Sequence, residues 1–357
     1  MINSRLHYLD FLRASMLILG VAVHASLSDA DGGELEPVRF FSELFRMGCF
    51  FILSGYFTTL IYHRFSKTDF YRKRLTLTLV PAIFAVIILV PVSNHLMDIY
   101  FTKANIGNNY YLSWMGHAWF LYALTIYTVI FPVLETIVKR YLKYIERFSG
   151  KHIPIAFGIL FMVMTCIVLR KVSTEVMPYL GISEYHQFFV TEVIYYFPLF
   201  ITGIAMFQNK ESLPYITSRQ NIWLVCSVLS VSLLAFLLTL EYESRLSQII
   251  YHNLVHPFLR YSSAFSLSAF FIALTYRFMS NHNPVTRLIS ESSYSVYLIH
   301  YVLVAGTLLI LQGLNLDIYS RFLVAFILAS VIGVVVHHSL IKRFSVLTLL
   351  INGKSTK

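Results

Sequence analysis

Three residues near the start of the chain carry groups that do chemistry in proteins and that apolar helices seldom hold: Asp10, Arg13 and His24. They stand in Tyr8-Leu-Asp10-Phe-Leu-Arg13, followed by an apolar stretch that ends at His24. On a helix Asp10 and Arg13, three residues apart, share a face and can pair. Arg13 and His24 are eleven residues apart, close to three turns, so they also share a face, separated by about 16 Å along the axis. A guanidinium is a fork for phosphate or carboxylate oxygens. An imidazole is the side chain best matched to general-base work near neutral pH. One end of such a helix can anchor an anionic cofactor, helped by Arg72-Lys73-Arg74, while the cofactor's extended arm reaches toward His24 at the other end. The same residues admit a plainer reading, with Asp10–Arg13 a structural ion pair and His24 a helix-packing group.

Other polar residues lie in apolar runs, and each has a bland reading beside the functional one. His24 and Asp29 form an H-x4-D spacing, but five residues along a helix point about 140° apart, so Asp29 orients His24 only if the helix ends first. Glu43 and Arg46 are three apart and can pair. His117 stands beside Trp119, where an interfacial aromatic belt is the alternative to a substrate contact. Glu192, His256, Arg260 and His300 each fit packing or helix-to-helix hydrogen bonding. His337-His338 has no acidic or thiolate companions, so the pattern gives no metal site.

These residues must be positioned by membrane helices. The chain has 357 residues, 57% hydrophobic and 13% charged, against about a quarter charged in a soluble domain. The excess apolar surface must face lipid, which makes this an all-α, polytopic membrane protein in contact with the bilayer. The formal charge of +10 does not signal nucleic acid, because the basic residues sit in short clusters between apolar runs. The three cysteines, Cys49, Cys166 and Cys226, fall inside apolar runs, so neither a disulfide framework nor a thiolate metal site is expected.

A spanning helix needs about 20 mostly apolar residues. About ten such segments follow, near 8–28, 41–62, 76–97, 116–138, 153–170, 188–208, 220–240, 253–276, 288–311 and 318–341. No soluble domain or long linker interrupts them, so residues 1–357 read as a single integral membrane domain. Alternate connections collect the basic residues, as at Arg64–Arg74, Lys139–Lys143, Lys210–Arg219 and Lys342–Arg343. The opposite connections carry acids, among them Asp29, Asp31, Glu34, Glu36, Asp98, Glu175, Glu184, Glu241, Glu243 and Asp317. Both termini are therefore expected in the cytoplasm. Met1–Ala25 has the outline of a secretory leader, but Asp10 and Arg13 interrupt its apolar core, and it is read as a retained span.

The order of these motifs resembles the membrane acyltransferase 3 family. The resemblance rests on Asp10-x-x-Arg13 … His24, then Phe50-Phe51-Ile-Leu-Ser54-Gly55-Tyr56, then Tyr71-Arg-Lys-Arg74 with Pro81 beyond it. His117-Ala-Trp119-Phe120-Leu121 and Ser293-Tyr294-Ser295-Val-Tyr297-Leu-Ile-His300 complete it. Within the family, Phe45-Arg46-Met47 before Phe50-Phe51 resembles the branch that succinylates osmoregulated periplasmic glucans. One departure is Leu77, where the family's basic motif carries a second arginine; Arg72 and Lys73 are the candidates to substitute.

The resemblance implies O-acyl transfer across a bacterial inner membrane. The donor would be acyl-CoA, either succinyl-CoA or acetyl-CoA, used as a substrate rather than as a permanently bound cofactor. The acceptor would be a hydroxyl of periplasmic glucan or another cell-envelope glycan. His24, Arg13 and Asp10 would be catalytic; Arg72, Lys73, Arg74 and Arg46 would bind the donor, with Arg46 on a succinyl carboxylate. His117, Trp119, Tyr56 and His300 would line the substrate site. The alternatives are O-acetylation of lipopolysaccharide, peptidoglycan or exopolysaccharide and, in a different class, small-molecule transport, for which the internal repeats common in transporters are not apparent.

Overall fold

A computed structural model describes residues 6–29, 33–104, 115–145, 152–240, 251–281 and 283–354. The acidic residues Asp31, Glu241 and Glu243 lie outside the described residues. The described chain is all helical. In order it forms α1 (His7–Ala25), α2 (Glu36–Arg64), α3 (Lys67–Phe84), α4 (Val90–Ala104), α5 (Trp119–Ile145), α6 (His152–Tyr179) and α7 (Glu184–Gln208). There follow a short α8 (Ser212–Thr217), α9 (Gln220–Leu238), α10 (His256–Met279), α11 (Pro284–Leu311), α12 (Ile318–Val336) and a short α13 (Ser345–Asn352).

Among the described residues, nine helical stretches are long and apolar enough to cross a membrane, with α3 and α4 counted as one run over Lys67–Lys103. The segment read from sequence near 153–170 is helical, within α6, and stands outside that set of nine. Large aliphatic side chains such as Ile87, Val133 and Ile310 face outward on these helices, as lipid contact requires.

Among the described residues, two of the three π turns have a visible cause. At Ala85–Leu89 the Val90 N–H bonds to the Ala85 carbonyl, five residues back. Pro91 follows and has no N–H to give, so the ladder changes register there without ending the helix. Tyr251–Val255 similarly precedes Pro257. The third, His337–Ile341, closes with Lys342 N–H on the His337 carbonyl.

The chain forms two compact units. The first comprises Met1–Glu43, Lys67–Val129 and Asn281–Lys357. In it α1 and α11 pack along each other, with α12 against both and α4 against α11. Val21, Ala25, Met97, Tyr100, Val304, Ala305, Leu308, Ala325 and Ala329 fill its core. The small residues let helices approach closely, as membrane interfaces favour; a Cβ on Gly333 would lie 3.2 Å from Val296.

The second unit comprises Leu44–Ser66 and Ile130–Ser280. Here α6 packs on α7, and α10 packs on α8 and α9. Gly55 on α2 and Gly203 on α7 set a backbone-to-backbone contact. A Cβ on Gly55 would enter the Phe200 carbonyl, and one on Gly203 would enter the Ile52 carbonyl. The glycine in Ser54-Gly55-Tyr56 is thus a packing requirement.

Candidate active site

The site lies in the first unit, where α1 and α11, joined by α3 and the turn before α5, present polar groups at two levels. At the first level are Arg13, Arg74 and Tyr294. Arg13 lies 3.7 Å from Asp10. Arg74 is 5% exposed and lies within electrostatic reach of Arg13 and Tyr294. Its Nε has no hydrogen-bond partner among the described residues. Arg72 and Lys73 are exposed, because consecutive helix residues step about 100° round the axis and only one of the three faces inward. The sequence grouped these three cations; the fold turns Arg74 alone toward Arg13.

Leu77, at the departure from the family's basic motif, is held through its backbone. Tyr294 OH donates to the Leu77 carbonyl at 2.7 Å, and a Cβ on Gly353 would come within 2.5 Å of Leu77 Cα. Gly353 closes α13 at φ +60°, a left-handed value that suits glycine at this close approach. Next to Tyr294, Ser295 Oγ donates to Asn352 Oδ1 at 2.6 Å and lies 2.7 Å from His337 Nδ1. Asn352 thereby ties α13 to α11, and His337 ties the π turn after α12 to the same serine.

At the second level three imidazoles converge. The His24 ring centroid is 5.0 Å from that of His300 and 6.2 Å from that of His117, and His117 and His300 are 5.1 Å apart. Tyr301 lies 4.5 Å from His24, and Tyr297 lies 5.2 Å from His300. His24 is half-buried, while His117 and His300 are buried.

His117 sits on a single 3-10 turn, Gly116–Ala118. Gly116 takes φ +47° and would place a Cβ 2.9 Å from Val90, so the turn depends on glycine. Tyr297 OH donates to the His117 carbonyl at 2.6 Å. His117 Nε2 lies 2.9 Å from the Leu298 carbonyl. A carbonyl only accepts, so Nε2 carries the proton and Nδ1 keeps its lone pair. Nδ1 is buried and has no hydrogen-bond partner among the described residues. His300 Nδ1 donates to the Tyr297 carbonyl, which leaves Nε2 as the acceptor nitrogen of the neutral ring.

The sequence motif contains Tyr294, Tyr297 and His300 but assigns a substrate role to His300 alone, and Tyr301 lies outside it. The signal was the spacing: Tyr294, Tyr297 and His300 recur every three residues and share one face of α11. Asp29 does not orient His24 in the way the H-x4-D spacing allowed. α1 does end at Ala25, and a 3-10 turn follows, but Asp29 Oδ2 accepts the Leu35 N–H at 2.7 Å. Trp119 opens α5 and is half-buried.

Arg46 and Tyr56 belong to the second unit. Tyr56 is buried, with its ring 5.3 Å from that of Phe207. Arg46, Glu192 and Arg260 lie within electrostatic reach of Tyr196. Arg170 bridges to Glu192 at 3.7 Å and stands 5.2 Å from the Tyr195 ring.

Residues 6–338 match the acyltransferase domain of the acyltransferase 3 family. This chain belongs to that family. The acyltransferase is 25% identical over 225 residues to glucans biosynthesis protein C of Shigella dysenteriae serotype 1, covering 57% of this chain and 58% of that protein. To the protein of the same name from Escherichia coli O1:K1 it is 24% identical over 224 residues, again 57% and 58%. The acyltransferase thus spans less than two thirds of the length of these relatives. No solved structure matches it.

Proposed function

We propose that this protein is a transmembrane O-acyltransferase, one domain along the whole chain, moving an acyl group from cytoplasmic acyl-CoA to a hydroxyl of a cell-envelope glycan. The observation that carries the reading is the pairing of two polar levels in the first unit, each including a residue of α1. Arg13 and the buried Arg74 form a cationic level, and His24, His117 and His300 form an imidazole level. The helical rise from Arg13 to His24, about 16 Å, suits an extended pantetheine arm between anchored phosphates and a reacting thioester. The clustering of basic residues at the Arg74 end supports a cytoplasmic donor side and an inner-membrane location, with both termini in the cytoplasm.

In the proposed step His24 takes the proton of the acceptor hydroxyl as its oxygen attacks the thioester carbonyl. The C–S bond then breaks, and the protonated His24 returns the proton to the departing coenzyme A thiolate. A transient acyl-His24 is the two-step alternative. His117 Nδ1, with its lone pair fixed by the Leu298 carbonyl, accepts a hydrogen bond from the acceptor and orients it. Asp10 holds Arg13 on its helix face. Arg72 and Lys73, exposed beside Arg74, draw the donor's phosphates in.

The finer reading is succinyl transfer to periplasmic glucan: the names of the relatives speak of glucan biosynthesis, and the Arg46 guanidinium suits a free succinyl carboxylate. The decisive experiment is His24→Ala assayed in membranes with labelled acyl-CoA and periplasmic glucan. Transfer should fall to background while the protein still inserts. Undiminished transfer would remove His24 from the mechanism. Labelled acetyl-CoA used in preference to succinyl-CoA would move the assignment to O-acetylation.

A further inference from the structure

The second unit holds a cavity of about 670 Å³ that the proposed chemistry does not use. It is bounded by α6, α7, α8, α9 and α10, with Ile52 of α2 and Leu142 of α5 completing the wall. Along α10 its wall runs from Phe258 to Ile272, about 21 Å of helix. Half of a bilayer's hydrocarbon core is roughly 15 Å thick, so the cavity is long enough for one chain of one leaflet.

The apolar wall offers an occupant no free donor along α10, because its O–H and N–H groups are already engaged. Ser262 Oγ donates to the Phe258 carbonyl, Ser268 Oγ to that of Ala264 and Thr202 Oγ1 to that of Pro198. Tyr261 OH donates to the Tyr195 carbonyl and Trp223 Nε1 to that of Ile216. A sugar or a nucleotide placed there would forfeit its hydrogen bonds with water and recover few of them. An alkyl chain forfeits nothing.

The α8 end of the cavity is different. Asn209, Ser212 and Tyr215 line it. Lys210 precedes α8 and Arg219 follows it; both are exposed, as is Glu211, which stands between Lys210 and the helix. The Arg219 guanidinium lies 3.9 Å from the Tyr215 ring centroid, which fixes the cation at the rim. Tyr and Trp side chains gather at the level of lipid headgroups, and here Tyr215 and Trp223 stand 6.3 Å apart.

We propose that this cavity holds one acyl chain of a membrane glycerophospholipid, with the lipid phosphate at the α8 rim, between Lys210 before α8 and Arg219 after it. Basic rims between membrane helices recognise lipid headgroups in this way.

The test uses the full-length protein in mild detergent. A phosphatidylglycerol carrying a diazirine in one acyl chain is photolysed in its presence, and the labelled peptides are mapped. Labels should concentrate on Val163, Phe265 and Ile272 inside the cavity rather than on outward-facing Phe161 and Val172. Native mass spectrometry should show one retained phospholipid. Ala269→Trp and Ala205→Trp, each filling the cavity from a different helix, should lose it, and Lys210→Ala with Arg219→Ala should weaken it. Labelling confined to the outward faces overturns the proposal, and so does an adduct with the mass of a free fatty acid or a polyprenyl phosphate. The wild-type map requires no variant to fold, and no acyl transfer is measured, so failure here is distinct from failure of the proposed enzyme reaction.

Discussion

Replacing Arg74 by methionine separates a structural cation from a binding one, because the two roles predict opposite signs. The guanidinium is buried, its Nε lacks a hydrogen-bond partner, and the charge acting on it most directly is that of another cation, Arg13. No acidic side chain pairs with it among the described residues. Removing a buried cation that faces a like charge relieves repulsion and desolvation cost, and methionine keeps most of the apolar stem. The unfolding temperature of Arg74→Met in detergent should therefore hold or rise. The donor complex should suffer, since a charge-assisted hydrogen bond is worth about 1.5–3 kcal/mol. At 1.4 kcal/mol per tenfold, that is roughly a 10- to 150-fold rise in KM for acyl-CoA. Thermal unfolding and initial rates at varied donor concentration supply both readings. A variant that unfolds earlier and keeps its donor KM would show Arg74 to be structural and remove the cationic level from the proposal.

His117→Gln should lower kcat about 10- to 100-fold, the worth of one lost oriented hydrogen bond to a reacting group, with little change in donor KM; unchanged turnover would assign His117 to packing. Gly203→Ala should destabilise the second unit by about 1–3 kcal/mol, as overpacking does, because its Cβ has no space beside the Ile52 carbonyl; thermal unfolding measures this. Arg46→Leu should erase a preference for succinyl-CoA over acetyl-CoA in a competition assay, and an unchanged ranking would exclude Arg46 as a carboxylate clamp.

Much of the first level was legible because a helix fixes its own faces. Asp10 and Arg13 at i and i+3 do lie together, and Arg13 and His24 had to share a side of α1. The spacing of three in Tyr294, Tyr297 and His300 likewise held one face of α11. Where a residue's role depends on how its helix is rotated against a neighbour, the pattern was silent. Arg72, Lys73 and Arg74 look equivalent in sequence, yet packing turns only Arg74 inward. His117 looked as much like part of an aromatic belt as part of a site, until Gly116 and the Leu298 carbonyl fixed its ring beside His300.

By itself the sequence determined an all-helical membrane protein. Its apolar content leaves too little polar surface for a soluble fold, and its intramembrane charges are too costly to face lipid. Only the tertiary structure decided that three histidines from α1, the turn before α5 and α11 meet. Residues 24, 117 and 300 are far apart along the chain, and no helical period relates them. Their meeting depends on close contact between helices, set by small residues such as Ala305, Ala325 and Gly333, and on turns that glycine alone permits.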